Sequence, residues 1–428
     1  MRIAVLTSSY PRFFGDGTAP FVYSITNSMA KLGHEVEVVA PYDPAVQSSK
    51  NNDVRVHRFR YIWPERLHIM GHARALNADV RLRPLAILLL PLFLISAFIT
   101  LMRVTSHQKS QIIHVHWVIP NGLVAACVAA IRNIPFVISL HGSDIFVARR
   151  NPLFGAVACW VFRRAAAVTA CSADLQQAAI ALGAPEETLL LAWGADPLLF
   201  HPDRGRSNEV RRAVAGDPTK VILVTLGRLV PKKGFGVLLA SLPKVIERYP
   251  QVRLVIGGDG PLKQELFDQA SELGLADCVT FIGQVPWDQV PGFLAAADIF
   301  VLPSVRDHYG NVDGLPTVLP EAMGCGTSII SSDIGGARLI IEHDRNGLLV
   351  PSDDPQALSE AILVLVGDPD KRHSLGIAAR QSVVERFNWD TVAQEILKLC
   401  ERAIWCQTHS LQGYTGFLDS NQSKRHSH

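Results

Sequence analysis

Short apolar runs alternate with amphipathic segments from the first residues of the chain. Residues 2–6 form an apolar run, and residues 21–32 carry apolar side chains at intervals close to the helical repeat. Gly33 ends that segment, and a second apolar run begins at once at Glu35. The order strand, helix, strand predicts a βαβ unit in a doubly wound parallel sheet. The turn after the first run has no GxGxxG sequence, which disfavours binding of NAD.

The same alternation starts again in the second half of the chain. An apolar run at residues 221–226 is followed by a turn, a helical pattern and further apolar runs that end in glycine or polar residues. Residues 196–218 are rich in proline, aspartate, arginine and glycine, and they are predicted to be a linker. We therefore predict an α/β protein with two Rossmann-like, doubly wound domains, residues 1–195 and 219–385, that face each other across a cleft.

One segment is more apolar than the core of a soluble domain requires. Residues 84–102 carry no charge, and Arg81, Arg83 and Arg103 flank them. Their length approaches that of a transmembrane helix, whereas Pro91 and the position inside a continuous domain argue against a span. Three interpretations stay open: a helix buried in the first domain, a membrane-dipping surface with an arginine rim, and a transmembrane helix.

Charge and cysteine content narrow the class of protein. Charged residues make up 19 % of the chain and its net charge is +2, so no nucleic-acid-binding surface is expected. The seven cysteines are scattered and form no CxxC pair, which fits a reducing compartment. The first apolar run is too short for the core of a signal peptide. We therefore expect a cytoplasmic protein, peripheral at the inner face of the membrane if the apolar segment docks there, with a polar, disordered tail at residues 408–428.

Histidines follow two apolar runs of the first half. His114 and His116 end one run and His141 ends the next, at the carboxyl ends of predicted strands, where ligands of open α/β sheets bind. His114 and His116 would lie on one side of a strand, but no third metal ligand is near in sequence. Ordinary packing or an acceptor-site wall is therefore the alternative to a metal pair. His141 precedes a glycine and a polar loop, and we predict a functional role for it, with a hydrogen-bonded structural histidine as the alternative.

The pattern with the clearest chemistry is a strand, a polar loop and a short helix. The apolar run at residues 299–302 opens into the loop, and the helix that follows breaks at Gly324 and Gly326. Asp313 and Glu321 flank the junction of loop and helix, with seven residues between them. A glycine-containing loop at a helix N-terminus places backbone N–H groups and a partial positive charge where a phosphate can bind. We expect this stretch to hold a nucleotide-sugar diphosphate.

Several separated motifs occur in a fixed order along the chain. They are a glycine loop at Gly17 followed by KLGHEV (31–36), LHGSD (140–144), GRLVPKKG (227–234), GGDGP (257–261), the acidic pair around DGLP, and NGLLV (346–350). In this order they resemble retaining glycosyltransferase family 4, and the resemblance covers nearly the whole chain. It implies the GT-B architecture of two Rossmann-like domains. It also implies that a helix at residues 386–407 crosses back to the first domain.

The resemblance assigns a donor site. Arg228 and Lys233 would bind the diphosphate, and Gly17 would let a first-domain loop approach the phosphate closely. Glu321 would accept hydrogen bonds from the ribose hydroxyls. Asp313 stands where the family usually has a glutamate that contacts the transferred sugar. Because cationic side chains can stabilise the leaving diphosphate, neither a metal ion nor another cofactor is expected.

The resemblance assigns the remaining contacts to the backbone and to one histidine. Backbone amides of Gly314, Leu315 and Thr317 would face the sugar and the phosphate. His141 would lie near the anomeric carbon and the acceptor, in a front-face displacement that needs no covalent nucleophile. Pro320 fits the short helix if the helix starts near Thr317, because the N–H groups of a first turn are unpaired in any case.

These features predict an enzyme with two substrates. The expected activity is that of a retaining glycosyltransferase, which moves a sugar from a nucleoside-diphosphate sugar to a hydroxyl of a lipid-linked or cell-envelope polysaccharide glycan. Two alternatives from other classes stay open: a nucleotide-sugar epimerase of the same fold, and a non-enzymatic, membrane-associated sugar-binding protein. The expected partners are the nucleotide-sugar donor, a glycan or lipid-linked acceptor and, through the apolar segment, the membrane surface, but no nucleic acid.

Overall fold

The structure is a computed structural model that describes most of the chain. The described residues are 1–13, 15–47, 54–72, 76–77, 81–82, 84–205, 208–217, 219–308 and 310–409. The polar tail predicted at residues 408–428 lies almost wholly outside the described residues, so its disorder stays a prediction.

Strands and helices alternate throughout the described residues. The strands are β1 (Arg2–Leu6), β2 (Glu35–Pro41), β3 (Arg55–Phe59), β4 (Leu76–Asn77), β5 (Arg81–Leu82), β6 (Ile112–His116), β7 (Phe136–Leu140), β8 (Ala167–Ala170), β9 (Leu189–Leu190), β10 (Val221–Leu226), β11 (Val252–Gly257), β12 (Val279–Gly283), β13 (Ile299–Leu302), β14 (Ser328–Ser332) and β15 (Leu348–Val350). The helices are α1 (Pro20–Lys31), α2 (Pro84–His107), α3 (Leu123–Arg132), α4 (Ser143–Arg150), α5 (Pro152–Phe162), α6 (Ala173–Ile180), α7 (Asn208–Ala215), α8 (Phe235–Arg248), α9 (Lys263–Glu272), α10 (Val290–Ala295), α11 (Val318–Gly324), α12 (Ala337–Ile340), α13 (Pro355–Gly367), α14 (Pro369–Glu385) and α15 (Trp389–Thr408).

Each domain is built on its own parallel sheet. In the described part of the chain the first sheet has the order β3-β2-β1-β6-β7-β8-β9 and the second has the order β12-β11-β10-β13-β14-β15, with parallel pairing throughout. Strands β6, β7 and β13 are buried at every position, which explains why they appear as continuous apolar runs in the sequence. The predicted architecture of two Rossmann-like domains is confirmed.

Both sheets reverse their strand order next to their first strand, and this reversal positions the site. The first sheet reverses between β1 and β6, and the second reverses between β10 and β13. The loops that leave the carboxyl ends of neighbouring strands separate at such a point and create a crevice. The two crevices contribute residues to one cleft between the domains.

The apolar segment forms α2, and one face of this helix is buried in the first domain, as the first interpretation requires. Its inward-facing residues, among them Ala86, Phe93, Ala97 and Leu101, belong to the core of the first domain. By length and composition alone α2 could cross a membrane. It is, however, the crossover from β3 to β6 in a parallel sheet, and a spanning position would withdraw those side chains from the core. One face of α2 is buried, and the other exposes apolar side chains.

The last helix returns to the first domain. Trp389, Val392 and Ile396 of α15 share a core cluster with residues of α1, β1 and β2. Near the end of α15, the Gln407 amide donates a hydrogen bond to the Asn133 carbonyl at 2.8 Å. The predicted linker is not wholly irregular, because it contains α7, and Arg211 of α7 pairs with Asp298 of the second domain at 2.9 Å.

Candidate active site

The cleft between the two domains has a volume of about 610 Å³. Every residue that the sequence assigned to the donor or to catalysis lines it: Gly17, His141, Arg228, Lys233, Asp313, Gly314, Leu315, Thr317 and Glu321. Gly17 and His141 come from the first domain, and the others come from the second. Residues that are far apart in the sequence therefore line one cleft.

Two lysines of the second domain hold one carboxylate in the cleft. Lys233 Nζ lies 2.7 Å from one oxygen of Asp313, and Lys232 Nζ lies 3.1 Å from the other. Burial alone would raise the pKa of Asp313, but the two ammonium groups outweigh it and lower this pKa to about 2. Asp313 is therefore ionised, and it fixes the position of both lysine head groups.

The turn that carries the two lysines depends on Gly234. Gly234 has a φ of +65° and ends the turn Pro231–Lys233. A Cβ at this position would lie 1.9 Å from the carbonyl oxygen of Pro303, at the end of β13. Only glycine allows both the positive φ and this close approach. The glycine of the PKKG sequence thus packs the lysine turn against the strand that leads to the Asp313 loop.

Arg228 lies on a second turn, which the GGDGP sequence supports. The N–H of Gly227 donates to the Gly257 carbonyl at 3.0 Å, and the N–H of Leu229 donates to the Asp259 carbonyl at 2.9 Å. These two bonds hold the backbone on both sides of Arg228. The GGDGP sequence therefore positions the turn that presents the guanidinium group to the cleft.

Glu321 is the second carboxyl group of the cleft, and its surroundings differ from those of Asp313. It lies in the first turn of α11, which also contains Pro320, as the sequence required. Burial raises the pKa of Glu321 to about 8. The unliganded carboxyl group is therefore mainly protonated near neutral pH, whereas Asp313 is a carboxylate.

Gly314 lies where the second domain touches the first. A Cβ at this position would lie 2.6 Å from Cys171 Sγ, which follows β8 in the first domain. The N–H of Gly336 donates a hydrogen bond to the Gly314 carbonyl. Close packing therefore requires glycine at position 314. This requirement is independent of the backbone contact to a donor that the resemblance implies.

The first-domain wall of the cleft contains a group of aromatic and imidazole rings. His116 Nδ1 lies 2.9 Å from His141 Nε2, and their ring centroids are 5.1 Å apart. Phe21 stacks on Trp193 at a centroid distance of 4.3 Å and lies 4.7 Å from the His141 ring. Burial lowers the pKa of His141 to about 3 and the pKa of His116 well below its ordinary value. Both imidazoles are therefore neutral.

The ring nitrogens of His141 are occupied or enclosed in this conformation. Nε2 bonds to His116, and Nδ1 is buried without a hydrogen-bond partner in the described part of the chain. The predicted role of His141 toward an acceptor therefore stays a prediction. His114 bonds to Ser139 Oγ at 2.9 Å, as in the packing interpretation. Across the described residues, no group of three or more histidine, cysteine, aspartate or glutamate side chains could hold a metal ion.

Asp144, the last residue of the LHGSD sequence, has a structural role. One of its oxygens accepts a hydrogen bond from the Val118 N–H at 2.8 Å, and the other accepts one from the Gly142 N–H at 3.1 Å. Asp144 is buried, and burial raises its pKa above the ordinary value despite these bonds. It joins the loop after β6 to the loop after β7, and these loops directly follow His116 and contain His141.

Sequence reasoning missed several residues of the cleft. Lys232 was overlooked because only its neighbour Lys233 fits the resemblance, although the doubled lysine is visible in the sequence. Phe21, Trp117 and Trp193 line the first-domain side. The signal for the two tryptophans was their position just after a strand. Trp287 lines the cleft after β12.

Two parallel α/β domains that face a cleft with cationic and acidic side chains define the GT-B class of fold. The profile of the family "Glycosyl transferases group 1" matches residues 207–382, and that of the "Glycosyl transferase 4-like domain" matches residues 16–193. The chain therefore belongs to the family 4-like glycosyltransferases of the GT-B fold.

Individual relatives agree with this family. The chain is 25 % identical to an uncharacterized glycosyltransferase of Methanocaldococcus jannaschii, over 94 % of this chain and 99 % of that protein. It is 35 % identical to the GDP-mannose-dependent alpha-(1-6)-phosphatidylinositol monomannoside mannosyltransferase of Mycobacterium tuberculosis, over 47 % of this chain and 53 % of that protein. The chain thus spans only about half the length of the second relative.

The fold is similar to that of HepE from Anabaena, solved in complex with UDP. The TM-score is 0.70 at 22 % identity, and the similarity covers 94 % of this chain and all of the HepE chain. At this identity the similarity supports the fold alone. Together with the sheet topology it confirms the predicted GT-B architecture.

Proposed function

We propose that this glycosyltransferase takes its sugar from a nucleoside-diphosphate sugar and transfers it, with retention of anomeric configuration, to a hydroxyl of a lipid-linked or cell-envelope glycan. One observation carries the proposal. Arg228, Lys232 and Lys233 line the same cleft as Asp313 and Glu321, and the cleft opens at the carboxyl ends of both sheets. This arrangement combines a site for an anionic leaving group with two groups that can bind hydroxyls.

The charges in the cleft suit a diphosphate. Three cationic side chains face one ionised carboxylate, because Asp313 is a carboxylate and Glu321 is mainly protonated. The charged side chains that line the unliganded cleft therefore sum to a net positive charge. Fixed cations at such a site stabilise charge that develops on a leaving group without reorganisation at the moment of reaction.

In the proposed step the acceptor oxygen forms a bond to the anomeric carbon on the face from which the diphosphate departs. The bond between that carbon and the phosphate oxygen breaks, and its electron pair goes to the diphosphate. The departing phosphate oxygen takes the proton of the acceptor hydroxyl. Arg228 and Lys233 stabilise the diphosphate, and closure of the two domains supplies proximity. Because the cations of the cleft neutralise the diphosphate, we propose no metal ion and no other cofactor.

The donor contacts divide between the two carboxyl groups. Glu321 binds the ribose hydroxyls, and Asp313 binds hydroxyls of the transferred sugar beside the lysines. Gly17, Gly314, Leu315 and Thr317 supply the backbone around the phosphate and the sugar. His141 lies on the acceptor side.

Relatives support the proposed pair of substrates. The Mycobacterium tuberculosis relative is named as GDP-mannose-dependent and as acting on phosphatidylinositol monomannoside, and the similar HepE structure contains UDP. Both bind a nucleoside diphosphate or its sugar, with different bases. The donor is therefore proposed as a class, the nucleoside-diphosphate sugars, without a particular base or sugar.

A thermal-shift panel of nucleoside diphosphates and their sugars tests donor binding first. A ligand at about 100 times its dissociation constant stabilises the folded protein by about 2.7 kcal/mol, which is enough to rank donors. The best donor is then incubated with and without glycan or lipid-linked acceptors. We expect release of nucleoside diphosphate only with an acceptor, and a product whose anomeric proton signal shows retention.

Other outcomes separate the alternatives. Sugar isomers that form without an acceptor would identify an epimerase. Donor binding without any turnover across the acceptor panel would favour a sugar-binding protein. Inversion at the anomeric carbon would refute the retaining mechanism while leaving the transferase activity in place.

A further inference from the structure

The outer face of α2 is an apolar stripe in contact with solvent. Leu88 is 74 % exposed and Ile95 is 57 % exposed, and they lie on the same helix face. Leu85, Leu92 and Ile99 extend the stripe along the helix, each more than 40 % exposed. A soluble protein rarely exposes such a continuous row, because each exposed apolar side chain forgoes the free energy of burial. The stripe therefore points to a partner.

An exposed tryptophan lies on the segment beside this stripe. Phe59 packs on Phe93 in the middle of α2 with a centroid distance of 5.1 Å, and Ser96 Oγ donates a hydrogen bond to the Arg60 carbonyl at 2.8 Å. These contacts hold the chain after β3 against α2. Three residues beyond Arg60, Trp63 exposes 83 % of its surface. Tryptophan prefers the boundary between lipid headgroups and acyl chains, where its amphipathic ring is half immersed.

The charged residues of α2 and of its neighbours along the sequence are all basic, whereas in the segment after β3 Glu65 pairs with Arg60 at 3.1 Å. Between Asp79 and Asp144 the sequence contains no acidic residue, and in the same interval it has Arg81, Arg83, Arg103, Lys109 and Arg132. Arg103 continues the outer face of α2 beyond Ile99 and is exposed. An apolar helix face that continues into an exposed arginine matches the surface of an anionic lipid bilayer, which offers acyl chains and negatively charged headgroups together.

The position of the stripe relative to the cleft adds a geometric argument. Since α2 is the crossover from β3 to β6, it begins at the carboxyl edge of the first sheet, and this edge borders the cleft. The exposed side chains are densest in the first half of the helix, from Leu85 to Ile95. A surface that holds this end of α2 would therefore lie on the same side of the molecule as the mouth of the cleft.

We propose that the outer face of α2, together with Trp63, docks the protein on an anionic phospholipid bilayer without crossing it. The buried face of α2 stays in the core of the first domain while the exposed face enters the headgroup region. This inference rests on the surface alone and does not require the proposed transfer reaction.

Vesicle co-sedimentation of the full chain, without donor or acceptor, tests the proposal. We expect the wild-type protein to bind phosphatidylcholine vesicles that contain about one third phosphatidylglycerol, and to bind pure phosphatidylcholine several-fold more weakly. The double variant L88E/I95E should bind at least about tenfold more weakly, because it places two charges on the face that enters the lipid. Replacing Arg103 by glutamate should remove most of the preference for the anionic lipid.

Leu198→Glu is the matched control. Leu198 is 83 % exposed and lies outside α2 and the segment after β3, so its substitution should leave vesicle binding unchanged. Unfolding of every variant is followed by circular dichroism, since L88E and I95E remove no buried side chain and should keep the wild-type melting temperature.

Three results would overturn the proposal. The first is a wild-type protein that stays in the supernatant with both kinds of vesicle. The second is equal binding of wild type and L88E/I95E. The third is a detergent-free dimer that the double variant dissociates, because the stripe would then be covered by a second copy of the chain.

Discussion

The two walls of the cleft differ in the charge of their side chains. The second-domain wall carries Arg228, Lys232, Lys233 and an ionised Asp313. The first-domain wall presents aromatic rings and imidazoles that burial keeps neutral, with His141 as its centre. The difference indicates a division of labour, in which one wall binds the charged donor and the other shapes a space for an uncharged acceptor hydroxyl.

This division has an electrostatic reason. Charged groups on both walls would attract water and counter-ions into the cleft and weaken the field at the diphosphate. A neutral, ring-lined wall excludes water instead and leaves the cations of the other wall unscreened. Substitutions on the charged wall are therefore expected to lower activity most.

Removing a cation from the second-domain wall should have the largest effect. Arg228→Met or Lys233→Met should lower kcat/KM by about two to three orders of magnitude, because each removes a fixed charge that stabilises the leaving diphosphate. Steady-state kinetics with the donor selected by the thermal-shift panel measures the loss. Lys244→Met, on an exposed position of α8, is the control and should leave kcat/KM within about twofold of the wild-type value. Near-normal turnover of Lys233→Met would refute the charged-wall interpretation.

Substitutions of Asp313 test whether activity depends on the distance between its carboxylate and the sugar as well as on its charge. Asp313→Asn should lower kcat/KM by about a hundredfold, while Asp313→Glu keeps the carboxylate and should retain more of the activity. The pKa of Asp313 is lowered, so its stabilisation of the fold is present above the unfolded pKa of about 4 and is lost as the pH falls toward 2. Asp313→Asn should therefore weaken the acid dependence of the melting temperature, and an unchanged acid limb would contradict the lysine pairing.

Glu321 should show the reverse dependence on pH. Its pKa is raised, so its contribution to the stability of the unliganded protein is present below the unfolded pKa of about 4.3 and is lost as the pH rises toward 8. If ribose hydroxyls donate to the carboxylate, donor binding releases a proton, and affinity should rise by up to about tenfold per pH unit between pH 6 and 8. Calorimetry in buffers of different ionisation enthalpy detects that proton. Glu321→Gln should remove the pH dependence, and the same slope in this variant would assign it to another group.

The sequence predicted the architecture well because burial on both faces of a parallel sheet leaves a continuous apolar signal. The runs at 112–116, 136–140 and 299–302 are strands buried at every position. The donor-side residues were named by the resemblance, and their roles toward a donor stay predictions, but the turn that carries the lysines is local. Lys233 and Gly234 are adjacent, and the close approach to Pro303 leaves little freedom of position.

Contacts between distant segments could not be read from the sequence. Nothing local shows that Lys232 reaches Asp313, or that Gly314 packs on Cys171 of the other domain. The two faces of α2 were also ambiguous, because all of its residues from 84 to 102 are uncharged and only the packed sheet distinguishes the inner row from the outer one. Such assignments depend on tertiary structure, which periodicity does not contain.

Substitutions on the neutral wall should lower activity less than those on the charged wall. Two histidines on one strand allow a positioning role to be distinguished from a packing role. His116 and His114 are both fully buried on β6, but only His116 bonds to His141, whereas His114 bonds to Ser139. His116→Leu should lower kcat by about fivefold with little change in the KM for the donor, because the His141 ring loses the bond that orients it. His116→Asn, whose amide can replace Nδ1, should recover part of that loss, while His114→Leu should lower stability without this selective effect on kcat. Equal losses of kcat in His116→Leu and His114→Leu, without recovery by His116→Asn, would show that the first-domain wall acts only through packing.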